Sequence, residues 1–138
     1  MQVKPRILVA SQPGAWLILK PMLEEGLELV RVHAMGEALR ILDNDPASIA
    51  VVLSTIAFDD SRMIDFLYAA KSTPRASNIP FICCRILPTV LSQDAVARVA
   101  EVCALGGAAE FIDFPSLNAK EAVARFRATV MRHIGENK

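Results

Sequence analysis

The sequence segment that decides the fold is residues 49–53 (IAVVL), which is followed by Ser54 and by the acidic turn 58–60 (FDD). A short, continuously apolar run with polar neighbours predicts a strand that is buried on both faces, as in a parallel sheet. Such sheets carry their functional groups just beyond the carboxyl ends of the strands. We therefore expect Ser54 to occupy the position that determines what this protein does.

Apolar runs of similar length recur on both sides of this segment, and stretches with helical spacing separate them. We predict further strands at residues 6–11, 27–33, 79–86 and 109–114, and helices at residues 13–25, 36–44, 61–71 and 90–105, with a last helix after Pro115. Five strands alternating with five helices predict one α/β domain over residues 1–138, with a doubly wound parallel sheet of order 2-1-3-4-5. This order brings Ser11 and Gln12 beside Ser54.

Proline, glycine and capping residues predict several helix ends. Pro21 lies inside the first helical pattern and removes a backbone donor, so we expect a kink or break there. Gly26 ends this helix in the manner of a C-cap. Asn118 and Glu121 have the spacing of a capping box at the start of the last helix.

Composition predicts a globular protein without a nucleic-acid or membrane partner. Of the 138 residues, 53% are hydrophobic and 22% are charged, which excludes disorder and allows a core without disulfides or metal. Fifteen acidic residues balance fifteen basic ones, and no apolar run approaches the length of a membrane span. We therefore expect a soluble, cytoplasmic protein. The cysteines Cys83, Cys84 and Cys103 fit no zinc or CxxC spacing and are predicted to be buried thiols.

Two segments of the sequence resemble the receiver domain of bacterial response regulators. Residues 71–82 (KSTPRASNIPFI) are similar to the loop that enters strand four in receivers. Residues 104–115 (ALGGAAEFIDFP) are similar to the family segment ALGADDYLxKP with one residue added. Both lie in register with the alternation of strands and helices, so the resemblance covers nearly the whole chain. It implies a flavodoxin-like receiver fold and a place in two-component signal transduction or a phosphorelay.

The resemblance also implies a phosphorylation site, and this chain departs from it at every position. Receivers transfer a phosphoryl group to an aspartate after strand three, helped by an acidic pair, a Thr or Ser, a Lys and a divalent cation. In this chain, Ser11 and Gln12 stand at the positions of the acidic pair, and Ser54 stands at that of the aspartate. Arg85 replaces the Thr or Ser, and Phe114 replaces the Lys. Because these residues offer no negative charge to a cation, the resemblance predicts a pseudo-receiver without metal, cofactor or catalytic residues.

The sequence leaves two roles open for the neighbouring charged residues. Asp59 and Asp60 either replace the missing carboxylates or form a solvated turn that starts the next helix favourably. Arg85 could point into the former site and pair with Asp59, Asp60 or Asp113, so that a fixed ion pair replaces metal and lysine.

We expect the protein to act through contact with another signalling protein or with a second copy of itself, independently of phosphorylation. Receivers signal mainly through the face formed by the helix at residues 90–105, the strand at 109–114 and the last helix. In this chain that face carries Arg98, Glu101 and Phe111. The alternative is a sensor in which the emptied crevice binds a small ligand or an anion near Arg85. An enzyme is not expected, because the sequence shows no Ser/His/Asp arrangement, HExxH motif or paired carboxylates in a cleft, and His33 and His133 fall in an outer strand and the last helix.

Overall fold

A computed structural model describes residues 4–87, 91–114 and 119–136. Its centre is a parallel sheet of five strands in the order β2-β1-β3-β4-β5, as the sequence predicted. The strands are β1 (Arg6–Ala10), β2 (Glu28–Val32), β3 (Val51–Thr55), β4 (Phe81–Arg85) and β5 (Glu110–Asp113). The strand β3 lies in the middle of this order, and all five of its residues are buried.

Within the described residues, six helices surround the sheet, one more than the sequence predicted. They are α1 (Pro13–Leu23), α2 (Met35–Asn44), α3 (Phe58–Ser61), α4 (Met63–Lys71), α5 (Gln93–Leu105) and α6 (Ala119–Glu136), and a 3-10 turn covers Pro46–Ser48. The additional element is α3, a single turn directly before α4, in which Asp59, Asp60 and Ser61 have positive φ values and not those of a right-handed helix. Among the residues that the structure describes, no helix has the length and apolar character needed to cross a bilayer.

The two faces of the sheet form two separate cores, because successive side chains of a strand point to opposite faces. Val52 and Cys83 face the layer of α2, α4 and α5, whereas Val51, Leu53 and Cys84 face the layer of α1 and α6. The helical spacing of the last helix predicts a buried stripe of Ala122, Val123, Phe126, Val130 and Ile134. Four of these residues are buried, whereas Val123 is 46% exposed, so that prediction was wrong for Val123. The continuous apolar run of β3 is therefore required by burial on both sides.

Several element ends differ from those predicted. The helix α1 continues through Pro21 and ends at Leu23, not at residue 25. The strand β3 begins at Val51 and extends to Thr55, one residue beyond Ser54. The predicted start of the fourth helix at residue 90 and the capping residue Asn118 lie outside the described residues.

The side chain of Arg127 links α6 to the end of α1. The guanidinium of Arg127 donates hydrogen bonds to the carbonyl oxygens of Met22 and Leu23, each at 3.3 Å, and to that of Glu25. The last carbonyls of a helix have no partner within the helix, and a positive charge there interacts favourably with the helix dipole. Arg127 thus supplies at the end of α1 what a C-cap would supply.

A lysine fixes the loop between α4 and β4 in a similar way. The Lys71 ammonium donates to the carbonyl oxygens of Ser77 at 3.0 Å and Ile79 at 2.9 Å, and its burial lowers the pKa of Lys71. Its aliphatic part lies beside Gly107, which has a φ of +98°. The resemblance segments 71–82 and 104–115 thus meet in space at these two residues.

We predict that Arg127→Ala lowers the free energy of unfolding by about 1–3 kcal/mol, because three carbonyl groups lose a charged donor. The matched control is Arg125→Ala, since Arg125 is exposed on the same helix. Urea denaturation of both variants measures the difference, and equal stabilities would contradict the role given to Arg127.

Candidate functional site

The candidate site lies at the carboxyl edge of the sheet, between β1 and β3. Here the connections leave the sheet in opposite directions, which opens a crevice in doubly wound folds. The two strands pair in parallel, with Ala10 opposite Ser54. Ser11 and Gln12 follow β1 directly, so the predicted proximity of these residues to the end of β3 is present in the structure.

Thr55, rather than Ser54, is the β3 residue that contacts the segment after β1. Its hydroxyl donates a hydrogen bond of 2.6 Å to the side-chain oxygen of Gln12. Ser54 is 0% exposed, and its hydroxyl donates to the Thr55 carbonyl oxygen at 3.4 Å. Because adjacent strand residues face opposite layers, only one of them can meet Gln12. The sequence analysis did not consider Thr55, which is the β3 residue that bonds to Gln12.

The described part of the crevice between β1 and β3 contains neutral polar groups. Ser11 is buried, and its hydroxyl has no hydrogen-bond partner among the described residues. Gln12 and Thr55 bond to each other. Over residues 4–87, 91–114 and 119–136, no group of three or more His, Cys, Asp or Glu side chains could hold a metal ion.

Arg85 forms an ion pair with Asp113, one of the three partners considered for it. The two residues lie opposite each other on β4 and β5. Nε of Arg85 lies 2.7 Å from Oδ1 of Asp113, and Nη2 lies 3.1 Å from Oδ2. The side chains are only 14% and 23% exposed, and the hydrogen bond with Asp113 raises the pKa of Arg85. A carboxylate already matches this guanidinium charge, which removes the main argument for an anion bound at Arg85.

Asp59 and Asp60 have different environments. The Asp59 carboxylate accepts a hydrogen bond of 2.8 Å from the backbone N–H of Met35, the first residue of α2, whereas Asp60 is exposed. Asp59 therefore stabilises the start of α2. One of the two sequence-based alternatives had instead expected Asp59 to favour the start of the helix that comes after it in the chain. The backbone of Asp59, Asp60 and Ser61 is left-handed, with φ values of 47°, 56° and 64°.

Phe114 and Phe111 pack into opposite cores. The ring of Phe114 meets that of Phe126 in α6 edge to face, with centroids 6.0 Å apart. Where the resemblance expects a lysine at the crevice, this chain therefore has an aromatic anchor for α6. Phe111 is half-buried against the core that contains Cys83 and Cys103, so only part of its ring is available to a partner.

The remaining residues of the predicted interaction face lie on α5. Arg98 and Glu101 are exposed, as expected for a contact surface. The sequence analysis missed Leu105, which ends the same helix and is 84% exposed. A leucine at the end of an amphipathic pattern resembles a core residue, so its exposure could be found only from the packing.

All three cysteines are buried free thiols, as predicted. The Cys84 thiol donates to the carbonyl oxygen of Ser54 at 3.5 Å, and burial raises its pKa. Cys83 on β4 and Cys103 on α5 hydrogen-bond to each other, and this contact raises the pKa of Cys83. The same contact lowers the pKa of Cys103, so the uncharged form is favoured at Cys83 and Cys84.

No family model and no curated protein matches this sequence. Solved structures do match it. The signal receiver domain of a signal transduction histidine kinase from Syntrophus aciditrophicus is 23% identical with a TM-score of 0.72, and the match covers 96% of this chain and 91% of that one. A sensor protein from Polaromonas is 16% identical with a TM-score of 0.74, over 99% and 100% of the two chains.

A third match is the receiver domain of a sensor histidine kinase from Pseudomonas aeruginosa, whose active-site cleft coordinates a magnesium ion. It is 17% identical with a TM-score of 0.73, over 96% of this chain and 99% of that one. At these identities the likeness concerns the path of the backbone. The chain therefore has the five-stranded fold of response-regulator receiver domains.

Proposed function

We propose that this chain is a receiver-type domain of two-component signalling that works by protein-protein contact, without phosphorylation and without enzymatic activity. The observation that carries this proposal is the hydrogen bond between Thr55 and Gln12. Phosphoryl transfer to a side chain needs an activated nucleophile and a cation that offsets the transferring charge. A threonine hydroxyl that donates to an amide oxygen is neither activated nor able to recruit a cation.

The residues around this hydrogen bond support the same conclusion. Arg85 is held by both oxygens of Asp113, and Phe114 is packed against Phe126. A bidentate arginine-carboxylate pair fixes both side chains in one geometry. A switch that responds to phosphorylation needs groups that can change partners. We infer that this edge of the sheet is held in one state.

The surface that we assign to partner contact is one face of α5. Arg98, Glu101 and Leu105 follow each other at intervals of three and four residues, so they share one side of the helix. All three are exposed, and Leu105, at 84% exposed, offers an apolar side chain to a partner. The expected partner is another signalling protein or a second copy of the chain.

We predict that Mg²⁺ with beryllofluoride causes no saturable amide shifts at Gln12, Thr55, Arg85 or Phe111 in NMR spectra of the unmodified protein. The physical reason is that the described crevice offers no carboxylate to the metal. A saturable, Mg²⁺-dependent response would contradict the proposal and direct attention to Asp59 and Asp60.

Two double variants separate Thr55 from Ser54. We predict that Gln12→Asp with Thr55→Asp creates a Mg²⁺ response, because both carboxylates then lie where the Thr55 hydroxyl meets Gln12. The matched control, Gln12→Asp with Ser54→Asp, should give no Mg²⁺ response, because Thr55 is the β3 residue that meets Gln12 and Ser54 points to the opposite face of the sheet. A Mg²⁺ response in the control alone would return the site to Ser54.

We predict that a photo-cross-linking amino acid at position 98 captures a partner or a second copy in the producing cells. The same amino acid at Leu17 is the control, since Leu17 is 75% exposed on α1, on the other side of the sheet. The Leu105→Glu change should abolish the cross-link at position 98, because it places a charge in the contact. Equal products at both positions, or none at either, would count against this surface.

A further inference from the structure

The helices α4 and α5 lie side by side on the outside of the domain. Both belong to the same helical layer, and both connect parallel strands of one sheet, so they run in the same direction. Gly106, which follows the last residue of α5, lies so close to Tyr68 of α4 that a Cβ atom there would come within 3.1 Å of the Tyr68 ring. The later turns of the two helices are therefore level with each other.

Exposed side chains of the same kind recur at matching heights on these two helices. Each helix carries a large apolar side chain toward its end, Tyr68 with 45% and Leu105 with 84% of its surface exposed. Each also carries an exposed carboxylate about one turn earlier. Asp65 precedes Tyr68 by about 4.5 Å along the axis of α4, and Glu101 precedes Leu105 by about 6 Å along that of α5.

The next rows toward the helix starts are also charged and exposed. The nearer row is basic, with Arg62 directly before α4 and Arg98 in α5. The farther row is acidic, with Asp60 and Asp94. Within residues 4–87, 91–114 and 119–136, no side chain of the acidic and basic rows forms an ion pair. Lys71, the remaining charged residue of the two helices, is held by backbone carbonyl oxygens.

The surface formed by these four rows, the α4–α5 face, is acidic although the whole chain has a formal net charge of zero. Four carboxylates stand against two guanidiniums, which leaves an excess of two negative charges. Charges without an ion-pair partner in the described part of the chain can pair with an incoming molecule of opposite charge. The face therefore favours a basic partner and repels nucleic acid.

The spacing of the rows fits a helical partner. The apolar, acidic and basic rows follow each other at about 4.5–6 Å, close to the helical pitch of roughly 5.4 Å. A helix that lies along the junction of α4 and α5 therefore presents one side chain to each row. The complement of the four rows is an apolar, a basic, an acidic or small, and a second basic residue at successive turns.

We propose that the α4–α5 face binds an amphipathic helix of net positive charge that belongs to another protein. This inference rests on the proposed function, because it adds α4 to the contact surface of α5 and states which partner fits both. Burial of Tyr68 and Leu105 supplies the apolar part of the contact. Asp65 and Glu101 pair with the basic residue one turn away, and the remaining charges fix the position of the helix along the face.

Designed peptides test this chemistry. The probe is a fluorescein-labelled, alanine-based helix of about 18 residues that carries Leu, Lys, Glu and Lys at successive turns of one side. The comparison peptide has Lys and Glu exchanged. We predict saturable binding of the first peptide in fluorescence anisotropy, and binding of the second that is weaker by about tenfold or more, because it brings like charges together. No saturable binding, or equal affinity for both peptides, would overturn the proposal.

Variants locate the binding on the protein. Asp65→Asn with Glu101→Gln should weaken binding of the basic peptide about tenfold or more, and Leu105→Ser about tenfold, because they remove the acidic and the apolar row. The control is Glu25→Gln with Asp43→Asn, which removes two exposed carboxylates outside the face and should leave the affinity unchanged. Equal weakening by the two double variants would show that only the overall charge matters and would contradict the assigned face.

A photo-cross-linking amino acid at position 68 separates this inference from the proposed function. The inference requires positions 68 and 98 to capture the same protein. Capture at position 98 alone, with no peptide binding, would overturn the inference and leave the proposed function standing, whereas no capture at either position would overturn both. Self-association in analytical ultracentrifugation that is lost in Asp65→Asn with Glu101→Gln would place a second copy on this face and overturn the inference.

Discussion

The structure depends on the complete burial of β3. All five residues of this strand are buried, and it is hydrogen-bonded to β1 on one side and β4 on the other. A strand without a solvated face needs a helical layer on each side, because every exposed apolar side chain would weaken the core. Two helical layers meet this requirement. One consists of α1 and α6, and the other of α2, α4 and α5. The carboxyl end of β3 is consequently the one place where this strand can present polar chemistry.

The architecture could be predicted from the sequence because it follows from local patterns. Period and length separate strands from helices, and the alternation of the two implies a parallel sheet with a known order of strands. The site was harder to predict, because its chemistry depends on single residues at element ends. The apolar run ends at Leu53, so Ser54 appeared to be the first residue outside the strand, yet β3 continues to Thr55. A shift of one residue reverses the face to which a side chain points.

Other features of the site lay beyond any local pattern. Asp59 bonds to Met35, 24 positions away, and Arg85 selects Asp113 because β4 and β5 are neighbours in register. This edge of the sheet is joined by contacts between elements. Gln12 and Thr55 share a hydrogen bond, and Arg85 and Asp113 form an ion pair. The rings of Phe114 and Phe126 pack together. These contacts contribute to the cohesion of the domain.

The left-handed turn at Asp59, Asp60 and Ser61 has a consequence for the order in which the molecule assembles. Each non-glycine residue in this conformation costs about 1–2 kcal/mol, so three in succession are unfavourable in an isolated segment. One contact that helps to offset this cost is the hydrogen bond from Met35 to Asp59, which exists only once α2 has docked beside the turn. The connection between β3 and α4 is therefore expected to close late in folding and to be among the first parts to open when the native state fluctuates.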